Sequence, residues 1–209
     1  MVKLFGLPGA CSLAPHIALE EAGIPYEYRL VRKADPSFED VKRLNPMAQV
    51  PVLAFDDGRS VTQNAAILHW VAAQAPDKHL LPKEGTFERA KADEWISFLG
   101  TTVHPAYSPI FNPAGVVTDP AQHEDAKRLA KARIERGLGI AEERLGKGPW
   151  ALGESFSVVD PYLYVFFSWA APVAKIDVAA FPNLRRHAEA LQARPAAQRA
   201  FAAEGIGQK

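Results

Sequence analysis

The chain has 209 residues, 24 Lys+Arg against 24 Asp+Glu, and a single cysteine. That balance argues against nucleic acid or a polyacidic partner, and one cysteine excludes an internal disulfide framework. No apolar run reaches the ~20 residues of a membrane span, and the N-terminus enters a strand with no signal-peptide pattern, so the expectation is a cytoplasmic globular protein with a substantial core.

Lys3-Leu4-Phe5 reads as the first strand. Pro8-Gly9 marks a turn. The run from Leu13 to Ala22 reads as a helix that tolerates Pro15 in its first turn, where backbone donors are unpaired anyway. Cys11 and Ser12 stand at the start of this helix. Free N–H groups and the helix dipole favour negative charge there, and can lower a thiol's pKa from about 8.5 by one to several units. The plain alternative is a small buried residue, the common fate of a free cysteine. His16, five residues on, is roughly 140° round the helix from Cys11 and is a poor local base for it.

Gly23 and Pro25 end the helix, and Tyr26 to Val31 alternates as a second strand. Two strands joined by a helix pair in parallel as a right-handed βαβ unit. Ser37 with Asp40 reads as a capping box for a short helix, Phe38 to Leu44. Val50 to Phe55, Asp57-Gly58 and Arg59 to Thr62 read as a β-hairpin. A helix from Asn64 to Ala75 follows, with Asn64 as its cap.

The proline- and charge-rich stretch after it reads as a linker, and beyond it no run looks like a strand. Thr86 caps a helix running to about Tyr107. Pro120 to Leu145 carries an apolar stripe of Leu129, Ala132, Ile134 and Leu138. Ser157 with Asp160 is a second capping box, opening an all-round apolar helix of the kind found at the centre of a core. Further helices begin at Phe181-Pro182 and Arg194-Pro195. The fold class is α+β: a small βαβ-α-ββ-α domain over residues 1–76, a linker at 77–85, and an all-helical domain over 86–209.

This order resembles the cytosolic glutathione S-transferases, most closely the bacterial beta class. The resemblance rests on Pro8 to His16, Leu44 to Leu53, Thr62 to Leu68, Trp95 to Phe98, His104, Tyr107-Ser108-Pro109, Gly153 to Asp160, Trp169-Ala170 and Arg194-Pro195. It implies a thioredoxin-like N-terminal domain with a mixed four-stranded sheet, a homodimer, and glutathione as co-substrate. It also implies a cis bond before Pro51, which leaves the Val50 backbone to pair with glutathione's cysteinyl unit as an added strand would. Read alone, Pro51 better suits the start of an edge strand.

Gln63 and Asn64 stand where the family has an acidic residue or Gln followed by Ser. The implied role is to hold the γ-glutamyl carboxylate at a helix start. The glycyl carboxylate falls to Arg32 or Lys33. Around the sulfur the resemblance puts Cys11, Ser12 and His104, and around the electrophile it puts Tyr107, Phe111 and Trp169. Phe5-Gly6 occupies the place where tyrosine-type members carry their catalytic tyrosine. Phe166 and Phe167 are assigned to the core, and no metal-site or nucleotide-loop spacing is present.

The implied reaction is conjugation of glutathione's thiolate to small hydrophobic electrophiles, with thiol transfer or peroxidase chemistry at the side. Two alternatives share the fold: a binding or regulatory member without catalysis, and a glutathione-dependent dehalogenase or isomerase.

Overall fold

In this computed structural model residues 1–207 are described, so the last two residues of the expected helical domain, 208–209, lie outside the described residues. Four strands, β1 (Val2–Gly6), β2 (Tyr26–Leu30), β3 (Val52–Ala54) and β4 (Ser60–Thr62), form one sheet in the order β2-β1-β3-β4. β1 runs parallel to β2, with Leu4 opposite Tyr28, and antiparallel to β3, with Leu4 opposite Leu53. β3 and β4 close the hairpin expected from Asp57-Gly58.

Alternation along the strands divides the side chains between two cores. Leu4 and Leu53 face α1 (Leu13–Ala22) and α3 (Asn64–Gln74). Phe5, Val52 and Ala54 face Val31, Phe38 and Val41, around α2 (Glu39–Leu44).

Two caps differ from expectation. Asp35, not Ser37, accepts the first free N–H before α2, because Pro36 opens a 3₁₀ turn there and Ser37 sits inside it; the Ser37 Oγ accepts instead from the Arg32 N–H. The residue preceding α3 is Gln63, at φ +72°, so Asn64 is the first helical residue and its side chain does not cap.

The rest of the described chain is helical. α4 (Phe87–Phe98) starts at its Thr86 cap as expected, passes through a π turn at Leu99–Val103, and continues as α5 (His104–Ala106). After α6 (Ser108–Phe111), α7 (His123–Leu145) buries Ala130, Ile134, Gly137, Leu138, Ala141 and Leu145. That stripe is rotated from the expected one: Leu129 and Ala132 face outward.

α8 (Val159–Ala170) is buried on every side, as its composition requires. The Ser157…Asp160 box forms, and Asp160 also accepts from the Ala151 N–H at 2.7 Å. Last come α9 (Pro182–Gln192) and α10 (Pro195–Glu204). α10 lies along α1, where Arg194 pairs with Glu21, and Arg199 with Glu20 at 2.5 Å. α1 is thereby enclosed by α3 on one side and by α8 and α10 on the other, which joins the sheet to the helical part. None of the described helices is long and apolar enough to cross a membrane.

Candidate active site

The turn between β1 and α1 is fixed through both backbone polar groups of one residue. Gly9, at φ +65°, donates its N–H to Glu204 Oε2 at 2.8 Å, and its carbonyl accepts from Trp169 Nε1 at 2.8 Å. The other Glu204 oxygen meets His16 Nδ1 at 2.7 Å, in a pair that is wholly buried. Ser12 is fully enclosed, and its hydroxyl accepts from the Leu7 N–H at 3.2 Å and donates to the Leu7 carbonyl at 3.3 Å. Cys11, buried beside this turn at the floor of the adjoining cleft, donates its thiol to the Val50 carbonyl at 3.4 Å.

Gly6 accounts for the missing strand-end tyrosine. A Cβ there would stand 2.9 Å from both the Ser12 hydroxyl and the end of the Tyr28 ring, so a side chain would have to displace one of them.

The Cys11 thiol is pushed up to about 11. Burial dominates, against the lowering effect of the Asn64 carboxamide and of the backbone N–H groups at Cys11 and Ser12. This corrects the expectation of a depressed thiol: the helix end acts in the expected direction and desolvation outweighs it.

The Val50–Pro51 bond is cis, and Asn45 holds the loop before it by donating to the Gln49 carbonyl at 2.7 Å and accepting from the Met47 N–H at 3.1 Å. Asn64 is buried, and its Oδ1 has no hydrogen-bond partner among the described residues.

These groups open onto a cleft of about 470 Å³, with Cys11, Val50, Pro51, Gln63, Asn64 and His104 in its walls. The opposite wall is one continuous face of α4, the π turn and α5: Ile96, Ser97, Gly100, Thr101 and His104. Spacings of one, three and four residues keep such positions on one side of a helix. His104 lies against Phe166 and Trp169, with ring centroids 5.1 and 5.9 Å away, and burial lowers its pKa, so it is a neutral imidazole at pH 7.

Other expected site residues lie elsewhere. Ser12 spends its hydroxyl on Leu7, which corrects its expected place beside the sulfur. Arg32 and Lys33 are on the exposed surface and do not line the cleft. Tyr107 is inside the core, its hydroxyl donating to the Phe166 carbonyl at 2.6 Å, so it presents no open wall. Trp169 braces Gly9 from below the cleft, and Phe111, 55% exposed, leans edge-on against Trp169.

Three features were not legible from sequence. Tyr162 reaches the cleft from inside the apolar α8. His69 and Asp93 meet at 2.8 Å in its wall, joining α3 to α4. Glu204 acts from 195 residues away. Only the absent Cβ of Gly100 hinted at the first, and the other two carry no local signal. Among the described residues no His, Cys, Asp and Glu side chains are grouped to hold a metal ion.

Residues 9–74 match the family model described as Glutathione S-transferase, N-terminal domain, and residues 120–190 match Glutathione S-transferase, C-terminal domain. The chain is 33% identical over 208 residues to Glutathione S-transferase GstA of Escherichia coli O157:H7, covering 98% of this chain and all of that one. It is 38% identical to a bacterial beta class glutathione S-transferase of Sphingomonas chungbukensis, with a TM-score of 0.87 and coverage of 98% and 100%. A sphingomonad glutathione S-transferase complexed with glutathione is equally similar, at 38% identity and a TM-score of 0.85, again over 98% and 100%.

Proposed function

The chain belongs to the glutathione S-transferase family, and from that premise we propose that it joins the sulfur of glutathione to small hydrophobic electrophiles in the cytoplasm, as a homodimer. The carrying observation is the convergence of the Cys11 thiol, the Val50 backbone, the Asn64 carboxamide and the His104 ring on one cleft. In this reading residues 1–76 bind glutathione, 77–85 link, and 86–209 supply the electrophile side.

The glutathione backbone pairs with Val50 across the exposed edge before β3, taking up the Val50 carbonyl that Cys11 now uses. The Cys11 S–H is then released to donate to the incoming sulfur. Gln63, Asn64 and the start of α3 receive the γ-glutamyl carboxylate. Glutathione's own thiol loses its proton, with the neutral His104 imidazole as the nearby acceptor. The thiolate attacks the electrophilic carbon, a C–S bond forms, and the leaving group departs with its electron pair.

In the ligand-free protein burial pushes the Cys11 thiol up to about 11, which holds it as a hydrogen-bond donor at neutral pH.

The test is retention on immobilised glutathione followed by turnover of an aryl halide. Retention with turnover is the expected result. A protein that neither binds the resin nor releases halide overturns the reading.

A further inference from the structure

Of the five tyrosines in the chain, Tyr28 has a hydroxyl that is buried without a partner, its ring stacked on His16, whereas Tyr162 lines the cleft. The Tyr107 hydroxyl is consumed by the Phe166 carbonyl, that of Tyr164 accepts from Gln192 at 3.1 Å, and that of Tyr26 donates to Glu20 at 2.5 Å. The Tyr162 hydroxyl has no acceptor among the described residues, although the residue is only 2% exposed. What it faces is the cleft.

Three elements frame that hydroxyl. From α4's π turn comes Gly100, where a Cβ would stand 3.4 Å from the phenolic oxygen, so a small residue leaves its approach open. From the start of α3 comes Asn64, buried in the same cleft wall with its carboxamide oxygen unpartnered among the described residues. From α5 comes His104, edge-on at 6.5 Å between ring centroids. The ring itself is held by Phe166, at 4.9 Å. The titratable groups facing this corner are Cys11 and His104; the His69–Asp93 pair lies elsewhere in the cleft wall.

We infer that Tyr162 is a catalytic residue whose hydroxyl donates a hydrogen bond to the glutathione sulfur, from the helical half of the protein and opposite Cys11. The inference rests on the transferase reading above and names a group that acts in it. At Gly6 a side chain would have to displace Ser12 or Tyr28, so the strand end brings no phenol to the cleft. Burial, and a charge on Cys11 if one forms, both keep the Tyr162 phenol protonated, so it remains a donor throughout the working pH range. A donor aimed at a thiolate favours the ionised form and lowers the thiol's pKa.

The experiment compares full-length wild type with Tyr162→Phe and Tyr107→Phe. Thiolate absorbance of the protein–glutathione complex is titrated, and kcat/KM for an aryl halide is followed across pH. Tyr162→Phe should raise the thiolate midpoint by about one unit and lower kcat/KM about tenfold below that midpoint, with recovery at higher pH and under threefold change in glutathione affinity. Tyr107→Phe, which loses a buried hydrogen bond away from the cleft, should leave the midpoint in place.

A second variant, Gly100→Ala, puts a methyl group against the phenol and should shift the midpoint the same way by a smaller amount. No shift in either Tyr162→Phe or Gly100→Ala overturns the inference, as does an equal shift in Tyr107→Phe. A wild-type complex with no thiolate band and no turnover refutes the transferase reading itself, which separates the two failures.

Discussion

At Cys11 two effects of opposite sign meet, and their sizes decide the outcome. A helix N-terminus can lower a thiol's pKa by one to several units, whereas burial can raise it by up to about 3–5 units. With the thiol buried and raised to about 11, burial wins. Strand, turn and helix were readable from the residues around Cys11. The enclosure by Val50 and Asn64 was not, because it depends on segments tens of residues away. In the free protein, the rate of Cys11 alkylation by iodoacetamide is expected to keep rising tenfold per pH unit to beyond pH 10, read by mass. A plateau below pH 9 would show an ordinary or depressed thiol.

Elements were readable where the signal lies within one turn of chain. Thr86, Gly23 and the Ser157…Asp160 box behave as their positions predict. The matching Ser37…Asp40 spacing does not, since Asp35-Pro36 starts a turn two residues earlier. Asn64 leaves its expected cap because Gln63 adopts a positive φ, a conformation that costs an ordinary residue about 1–3 kcal/mol and persists only where surrounding structure enforces it. The apolar stripe of α7 was misjudged because Leu129 is apolar but outward, and composition cannot say which of two adjacent stripes meets a partner.

Asp160 does more than its box. Its two oxygens receive the N–H groups of Ala151 and Ser157, the Ser157 hydroxyl and His187 Nε2, all inside the core. Asp160→Ala leaves these donors buried without an acceptor and should lower unfolding free energy by about 3–5 kcal/mol in urea titration. A loss under 1 kcal/mol would mean that water or backbone takes over those donors.

At the scale of the whole molecule, the division into a sheet half and a helical half was legible from where strand-like runs stop. How the halves lock together was not. Arg194 just before α10, with Arg199 and Glu204 on it, reach His16, Gly9, Glu21 and Glu20 around α1, and no sequence pattern announces partners so distant. Met47, 61% exposed in the sheet half, and Phe87, 75% exposed at the head of α4, remain as large apolar side chains on the surface of the monomer. For the proposed homodimer, light scattering is expected to give twice the chain mass of 22.8 kDa, and a species at 22.8 kDa would remove it.

The grip of Glu204 on Gly9 also orders events in time during synthesis. The sheet half leaves the ribosome first, but the residue that fixes the turn carrying Cys11 is made 195 residues after Gly9. At ordinary elongation rates that is roughly 10 to 40 seconds later. For that interval the nascent protein holds a folding sheet with its thiol turn unclamped on the Glu204 side. The groups that enclose Cys11, Val50 and Asn64, are already made by then, so what waits for the last helix is the fixing of the Gly9 turn, not the cover over the thiol.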